Sequence, residues 1–411
     1  MAVSPKGLRV INRAEMLNLI LTYGSITRVK LAELTGLNQS TISKIVSQLI
    51  DEEMVYEASR DDSPIGRKPV NLKINEKYRI YGLIDVALWT TTLAVCDLSG
   101  KMLDQQEFKT TVGNAQEFFH HCSKELSRMI APFSEPLAGV AVTVPSTLNS
   151  HRGFIYYNKT LQWKEVDVKE IILRNLDCKV LVENDARAAA LAELCFVDHV
   201  NQLSNIVYIL VCDGIGTGIV IGKQIYYGAH SLNGQFGAEV IKINGHWEDF
   251  SEENTWEENA SDLGVVNRYC ELAGISREHD TEQLMQRIID LAKSGDEDAI
   301  KALKETARYL GVGIANINNG LDPERIVVGG KICQVWELIF PELLDQVRSQ
   351  TNYQVVPLEE LIIPSSLNSA TFEGARALIL QDLFGGKVGH PRKPYQESMA
   401  LGGPGLRVLR V

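Results

Sequence analysis

The most constraining feature of this chain is a pattern over residues 26–56 that predicts two short helices joined by a tight turn. Apolar residues at helical spacing would bury one face of the second helix, predicted over residues 38–52. These residues are Ile42, Ile45, Val46, Leu49 and Ile50. Asn38 is suited to cap the first turn of that helix, and Gly36 gives the turn a permissive backbone. The segment is therefore typical of a helix-turn-helix.

The opposite face of the second helix carries short hydrogen-bonding side chains and a cation, which suit base edges and phosphates. The candidate DNA contacts on this face are Gln39, Ser40, Thr41, Ser43 and Lys44. A basic loop, Gly66-Arg67-Lys68-Pro69, follows and would place Arg67 and Lys68 against DNA, with Arg67 in a narrow minor groove. Together these features predict a winged helix-turn-helix that binds double-stranded DNA. The alternatives are an ordinary helical subdomain and a plain surface loop.

The charge distribution favours the DNA-binding interpretation. The chain of 411 residues has a net charge of −11, but residues 1–77 hold 11 Lys and Arg against 9 Asp and Glu. The acidic remainder would repel a phosphate backbone, so that the N-terminal module approaches DNA. An earlier helix is predicted over about residues 12–23. The side chains that it would add to the small core of the module are Ala14, Leu17 and either Ile20 or Leu21.

Composition bounds the rest of the molecule. The length predicts two or three domains, and 45% hydrophobic with 23% charged residues is typical of a soluble globular protein. No apolar run approaches the length of about 18 residues that a membrane span needs, so we expect no membrane association. The first residues lack a signal-peptide core. Seven scattered cysteines without a CxxC pair indicate reduced thiols in a cytoplasmic protein.

From about residue 80 the pattern indicates a repeated α/β unit. Strands are predicted over residues 80–85, 91–96, 102–108, 138–143, 180–182, 206–211, 218–222, 224–227, 325–328 and 361–363, and helices over 115–130, 187–194, 298–319, 336–349 and 370–383. Each half opens with a strand, an Asp (Asp85 or Asp213) and a hairpin, which suggests two lobes around a ligand-binding cleft. We divide the chain into a winged helix-turn-helix over residues 1–77, a body over 78–384 and a flexible tail over 385–411.

Two motifs of the body carry candidate chemistry. Asn184 and Asp185 follow a strand and open an alanine-rich helix, where a carboxamide and a carboxylate could hold vicinal hydroxyls. In a kinase Asp185 could also accept a proton from the attacking hydroxyl, whereas the plainer interpretation is helix capping. Residues 213–218 are glycine-rich and predict a turn whose amides could meet a phosphate, although many hairpins need such glycines.

The chain resembles the ROK family of repressors and sugar kinases over about residues 10–384. The resemblance rests on the helix-turn-helix with residues 66–69 and on residues 183–186, 214–218, 228–237, 256–257, 260–261 and 322–330. It implies an α/β chain with a winged helix-turn-helix and a two-lobed, actin-like body of the sugar-kinase type, usually dimeric. Members with an N-terminal winged helix are mostly sugar-responsive repressors of carbohydrate operons. By position, the implied sugar contacts are Asn184, Asp185 and Glu257, with Asn158 a looser candidate in the loop that ends at Trp163.

The sequence also departs from the family pattern. Gln235 replaces the usual Glu and Ala238 the usual His, so we keep Gln235 as a candidate contact but expect an altered or lost sugar preference. The family's zinc-binding cysteines should lie just before Glu257, where residues 247–255 contain no Cys and only His246 is close. Because a structural zinc site needs about four N or S ligands, we predict no metal and no other cofactor.

The first strand of the body lacks the phosphate-binding pattern of the family kinases, Asp-x-Gly-x-Thr. After Asp85, Ala87 replaces the glycine and Trp89 replaces the threonine. A Cβ and an indole would stand where phosphate oxygens approach, which argues against phosphoryl transfer. We therefore predict that the protein is not an enzyme and has no catalytic residues.

These observations predict a sugar-responsive repressor. A homodimer, or alternatively a tetramer, would place recognition helices in successive major grooves of an inverted-repeat operator. A sugar inducer in the cleft between the lobes would close them and lower operator affinity. The alternatives are a sugar kinase with an appended DNA module and a regulator controlled by a protein partner. The sequence identifies neither the sugar nor the operator, and it leaves open whether binding represses or activates.

Overall fold

The computed structural model describes residues 5–58, 70–197, 203–241, 254–276, 280–351 and 356–384. Three predicted features lie outside these ranges: the wing with Arg67 and Lys68, most of the segment in which we predict no zinc site, and the tail from residue 385. Within the ranges, no helix combines the length and the apolar character that crossing a membrane requires.

The N-terminal module consists of three helices and a small antiparallel sheet. The helices are α1 (Pro5–Tyr23), α2 (Arg28–Thr35) and α3 (Gln39–Asp51), and the strands, in the order β1-β3-β2, are β1 (Ile26–Thr27), β2 (Val55–Ala58) and β3 (Asn71–Ile74). Gly36 adopts a left-handed conformation (φ 68°), and the Asn38 side chain accepts a hydrogen bond from the Thr41 amide, as the sequence predicted. Helix α1 begins earlier than predicted because Pro5, which suits a first helical turn, starts it.

The body contains two five-stranded sheets and one three-stranded sheet. In chain order its strands are β4 (Ile80–Val86), β5 (Thr90–Asp97), β6 (Met102–Lys109), β7 (Leu137–Val144), β8 (Thr147–Asn149), β9 (Phe154–Asn158), β10 (Trp163–Asp167), β11 (Val180–Asn184), β12 (Ile206–Val211), β13 (Ile215–Ile221), β14 (Gln224–Ile225), β15 (Arg325–Gly329) and β16 (Ile362–Pro364). The large sheets have the orders β11-β7-β4-β5-β6 and β14-β13-β12-β15-β16. In both sheets an antiparallel meander of three strands is followed by two parallel strands. The predicted duplication of an α/β unit is therefore confirmed.

Helices cover and connect the sheets. They are α4 (Ala115–Ile130), α5 (Val168–Leu173), α6 (Asp185–Ala192), α7 (Trp256–Ala260), α8 (Asp262–Ala273), α9 (Thr281–Lys293), α10 (Glu297–Leu321), α11 (Trp336–Gln350), α12 (Leu358–Leu361) and α13 (Ala370–Phe384). Helix α6 packs on β12 and β13 of the second lobe and on α13, which in turn packs on β4 and β7 of the first lobe. The contact between α6 and α13 is close, because a Cβ at Gly374 would stand 2.4 Å from the backbone carbon of Ala188. Helices α6 and α13 therefore join the two lobes.

The structure corrects two interpretations of the sequence. Residues 213–218 are not a glycine turn: β13 begins at Ile215, and only residues 212–214 connect it to β12. Gly216 and Gly218 lie within the strand, where a Cβ would stand 2.9 Å from Ala186 Cβ and 2.1 Å from the Ala186 carbonyl oxygen, respectively. These glycines therefore admit α6 against the sheet. Asn158, which was predicted in the loop that ends at Trp163, is instead the last residue of β9, and the connection to β10 spans residues 159–162.

Candidate functional site

The face of α3 that was predicted to contact DNA is available to a ligand. Gln39, Ser40, Ser43 and Lys44 are exposed and Thr41 is half-buried. The opposite face is fixed in the core of the module, where Ile42, Ile45, Val46 and Leu49 are buried. Since Arg67 and Lys68 lie outside the described residues, their contribution to a DNA-binding surface stays a prediction.

The second candidate site starts at the corner between β11 and α6. Asn184 ends the strand and caps the helix by accepting a hydrogen bond from the Arg187 amide, and its side-chain amide donates to Asp185 Oδ1 at 2.9 Å. The Asn184 amide also approaches the Ser146 carbonyl at 3.5 Å. The capping that the sequence offered as an alternative is therefore present, while the side chain of Asp185 stays half-buried beside it.

The Asp185 carboxyl lies in an environment that opposes its ionisation. Burial raises its pKa to about 7, and the charge of Asp85 contributes to the rise. Asp85 is itself buried at the end of β4, where it accepts hydrogen bonds from the Thr143 hydroxyl (2.6 Å) and the Thr371 hydroxyl (2.9 Å). Burial also raises the pKa of Asp85. Two neighbouring carboxyl groups with raised pKa values, Asp85 and Asp185, therefore lie at this corner.

Glu257, on α7 of the second lobe, faces the same region as Asp185. A Cβ on Gly214 would stand 3.3 Å from Glu257 Oε2, and one on Gly216 would stand 3.9 Å from Asp185 Oδ1. Both carboxyl groups therefore lie close to residues 214–216. Carboxylates converging in this way can accept hydrogen bonds from neighbouring hydroxyl groups of a polyol.

The remaining predicted ligand residues occupy the edges of this region. Asn158 is buried, and its side chain is engaged within the protein: it donates to the Pro145 carbonyl and Ser146 Oγ and accepts from the Leu161 amide. Gln235 is exposed and precedes a short 3-10 helix (Phe236–Ala238), in which a Cβ on Gly237 would stand 2.9 Å from Glu257 Oε2. The structure thus places Asn158 and Gln235 at the margins of the site.

The two lobes meet at Trp89, in the turn between β4 and β5. Its indole Nε1 donates a hydrogen bond to Asp213 Oδ2 (3.1 Å), in the equivalent turn between β12 and β13. The turn that carries Trp89 is held by Thr110, whose hydroxyl donates to the Ala87 carbonyl and whose amide donates to the Trp89 carbonyl. An aromatic ring and a carboxylate therefore occupy the junction of the two turns.

Sequence reasoning missed several residues that build this site. Ser146 lies between Asn158 and Asn184, and Thr371 lies beside Asp85, but no local pattern marks either residue. Glu183 and Arg187 form a buried ion pair across the Asn184–Asp185 corner. Their spacing of four residues at a strand–helix junction is the one signal that could have suggested the pair.

The residues described around Glu257 do not fit a structural zinc site. Asn254, Thr255 and Trp256 precede it and provide neither thiolate nor imidazole. Throughout the described ranges, no group of three or more His, Cys, Asp and Glu residues is arranged to hold a metal. Because His246 and its neighbours lie outside those ranges, the lack of zinc stays a prediction.

The chain resembles known proteins in both sequence and fold. The chain is 28% identical over 385 residues to the xylose repressor of Bacillus spizizenii, covering 91% of this chain and 96% of that protein. Its fold resembles the crystal structure of a ROK family transcriptional regulator, a homolog of the E. coli MLC protein, with a TM-score of 0.72, 24% identity and coverage of 93% and 98%. A ROK family glucokinase from Streptomyces griseus matches 73% of this chain and 98% of its own, with a TM-score of 0.60 and 21% identity.

The likenesses to solved structures confirm the fold predicted from the sequence, an N-terminal helix-turn-helix module joined to the two-lobed, actin-like body of sugar kinases. A sequence model of the ROK family matches residues 81–382, which span almost the whole of that body. The chain belongs to the ROK family.

Proposed function

We propose that this protein is a sugar-responsive transcriptional repressor that binds operator DNA as a homodimer and releases it when a carbohydrate occupies the cleft between its lobes. The observation that carries the proposal is the joining of a helix-turn-helix module with an exposed polar α3 face to a two-lobed body that holds converging carboxyl and carboxamide groups. The similarity to a xylose repressor over nine-tenths of the chain supports the same conclusion.

The DNA-binding half of the proposal rests on α3. The exposed side chains of Gln39, Ser40, Ser43 and Lys44 can donate to or accept from base edges and phosphates. A symmetric dimer would present two such helices to half-sites one helical turn apart, which predicts an inverted repeat. Arg67 and Lys68 would extend the contact into the adjacent minor groove.

The ligand-binding half rests on Asn184, Asp185 and Glu257, with Gln235 and Asn158 at the margins. Sugars are recognised by hydrogen bonds to their hydroxyl groups, and charged acceptors give the strongest of these bonds. Because the site draws residues from both lobes, a bound sugar stabilises one relative position of the lobes. Only a difference in sugar affinity between two such positions can change operator affinity.

The kinase alternative is disfavoured at Trp89. The indole and its hydrogen bond to Asp213 occupy the junction that phosphate groups would need, and Asp213 adds negative charge there. The raised pKa of Asp185 would suit a general base, but a binding protein has equal use for that carboxyl group. The proposed protein is therefore a binder without catalytic residues.

The decisive experiment combines DNA selection with ligand binding. A preferred duplex would be selected from a random pool with the full-length protein, and its affinity measured by fluorescence anisotropy with and without D-xylose, D-glucose or N-acetyl-D-glucosamine. We expect one of these sugars to raise the Kd for DNA. Glu257→Ala should retain DNA binding and lose the sugar response, while Arg67→Ala should weaken DNA binding itself.

Three results would contradict parts of the proposal. ATP-dependent phosphorylation of a sugar at an enzyme-like rate would favour the kinase. Calorimetry that detects no binding of any sugar would favour control by a protein partner. An unchanged DNA affinity in Arg67→Ala would show that the wing assignment is wrong.

A further inference from the structure

We propose that Arg187 is a positioning residue of the ligand site, whose buried guanidinium holds three segments of the cleft in register and so sets sugar affinity without touching the sugar. The inference rests on the proposed sugar-binding function and deepens it. It concerns how the Asn184–Asp185 corner is fixed relative to its surroundings.

The first contact of Arg187 spans the corner. Its Nε donates to Glu183 Oε1 at 2.7 Å, and the side chains of Arg187 and Glu183 are only 4% and 2% exposed. Since Glu183 is in β11 and Arg187 is in the first turn of α6, the ion pair encloses Asn184 and Asp185. The backbone amide of Asn184 also donates to Glu183 Oε1, at 2.7 Å. The dihedral angles that aim Asn184 and Asp185 are therefore constrained from both sides.

The other two nitrogens of the guanidinium reach two further segments. Nη2 donates to Ser150 Oγ (3.1 Å) in the turn between β8 and β9, and Nη1 donates to the Ser231 carbonyl (3.1 Å) in the segment that leads to Gln235. Ser231 has a left-handed backbone (φ 59°), which is uncommon for a residue with a side chain. The Thr217 hydroxyl donates to the Gly234 carbonyl and holds the same segment at a second point.

Glu183 completes the network from the opposite side. Its Oε1 accepts from Ser150 Oγ at 2.6 Å, and its Oε2 accepts from the Tyr227 hydroxyl at 2.8 Å. The Arg187 guanidinium also lies over the Tyr227 ring, 5.4 Å from its centroid. Buried charges are costly unless their hydrogen-bonding groups are satisfied, and here each nitrogen of Arg187 and each oxygen of Glu183 has a partner.

The geometry indicates positioning because each side-chain nitrogen of Arg187 and each carboxylate oxygen of Glu183 is bound within the protein. The three side-chain hydrogen bonds of Arg187 reach three segments. These are the corner with Asn184 and Asp185, the segment that leads to Gln235, and the turn between β8 and β9. A planar guanidinium can serve acceptors in three fixed directions, which the ammonium of lysine cannot reproduce. Affinity for a sugar held by several of these segments depends on their being preorganised.

The test uses Arg187→Lys, which keeps a positive charge opposite Glu183 but loses the fork. The control is Arg174→Lys, which alters an ion pair of the same spacing with Glu170 where both side chains are more than 60% exposed, at 62% and 63%. The sugar Kd, with D-xylose, D-glucose and N-acetyl-D-glucosamine as probes, would be measured by calorimetry beside thermal unfolding and sugar-free DNA affinity. Arg187→Lys should raise the sugar Kd about tenfold or more, while its sugar-free DNA affinity and the control stay unchanged.

A folded Arg187→Lys protein with an unchanged sugar Kd and a lowered unfolding temperature would overturn the inference, since that is the signature of a merely structural pair. If the lysine variant does not fold, Ser150→Ala decides, because it removes one hydroxyl and leaves the ion pair. A weaker sugar affinity in Ser150→Ala supports the positioning role, and an unchanged affinity refutes it. A wild-type protein that binds none of the three sugars would instead contradict the proposed function, so the two failures are distinguishable.

Discussion

Asp185 is a residue of the candidate site whose ionisation is coupled to folding. Burial raises the pKa of its carboxyl from 3.8 to about 7, so the folded protein holds that proton more tightly than the unfolded chain does. The stability that this proton contributes is fully present below about pH 4 and is lost as the pH rises to about 7. At neutral pH, the cost of ionising the Asp185 carboxyl therefore lowers the free energy of unfolding.

We predict that Asp185→Asn removes this cost. The asparagine has the same shape and no charge, so the free energy of unfolding should fall less between pH 4 and 8 than in the wild type. The variant should be the more stable protein at pH 8, by about 1 kcal/mol or more. Urea unfolding at several pH values measures the difference. Asp345→Asn, at a side chain that is 77% exposed on α11, is the control, and equal pH slopes for wild type and Asp185→Asn would refute the prediction.

At the scale of elements, the contact between α6 and β13 positions the site. A Cβ on Gly218 would stand 2.1 Å from the Ala186 carbonyl oxygen and 2.8 Å from the Cβ of Ala190, so a side chain at position 218 would displace the start of α6. Asp185, the first residue of α6, would be displaced with it. Glycine is therefore required at position 218 by packing and not by a turn.

Gly218→Ala should lower the free energy of unfolding by about 1–3 kcal/mol and weaken sugar binding, because overpacking strains both elements. Gly320→Ala is the matched control: Gly320 is exposed in α10, and a Cβ there would meet nothing within 4 Å. That control should gain about 0.5–1 kcal/mol, as alanine costs less entropy than glycine in a helix. Urea denaturation of both variants provides the measurement, and equal effects would show that the close approach of α6 is unimportant.

The elements that the sequence predicted well are those with a long periodic pattern. Helix α4 was predicted at its exact bounds because buried side chains recur along it at helical spacing. The elements that it missed include the short β8 (3 residues) and α7 (5 residues), but also two longer helices, α8 (12 residues) and α9 (13 residues). The glycines after Asp213 misled the prediction for another reason. They are needed because α6 packs closely against them, and α6 is distant in sequence. Local patterns do not record such tertiary contacts.

The residues of the candidate site were likewise identified from the sequence only in part. Asn184 and Asp185 are adjacent in sequence and were found as a motif. The Arg187 network was not found, because Ser150 is 37 residues from Arg187 and Ser231 is 44 residues away. The fold brings these segments together, and their small polar residues have many other roles in proteins. The candidate ligand groups of Asn184 and Asp185 could thus be named from the sequence, whereas the groups that hold them could not.

For the whole molecule, the central question is how the cleft can influence the DNA-binding module. The buried side chains of α1, among them Leu17 and Ile20, belong to the same apolar cluster as Leu378 and Ile379 of α13, and the two helices are in contact. At its other end, α13 carries Thr371, whose hydroxyl donates to Asp85. A single helix therefore contacts both Asp85, which lies near Asp185, and the first helix of the N-terminal module.

This arrangement predicts that Thr371 couples the two sites. Thr371→Val removes one hydroxyl at nearly constant shape, so Asp85 loses the hydrogen bond that comes from α13. Thr143→Val is the matched control, because it removes the other hydrogen bond to Asp85, which comes from β7. Both variants should keep a similar sugar affinity. Thr371→Val alone should reduce the factor by which sugar weakens DNA binding, by about fivefold or more.

The measurement is the DNA Kd with and without saturating sugar for the wild type and the two variants. Contact through an intermediate helix does not by itself establish energetic coupling, and the ratio of the two Kd values does. Equal ratios in Thr371→Val and the wild type would mean that the signal bypasses α13. Equal losses in both variants would assign the effect to Asp85 itself, since a weakened carboxylate network is what the two substitutions share.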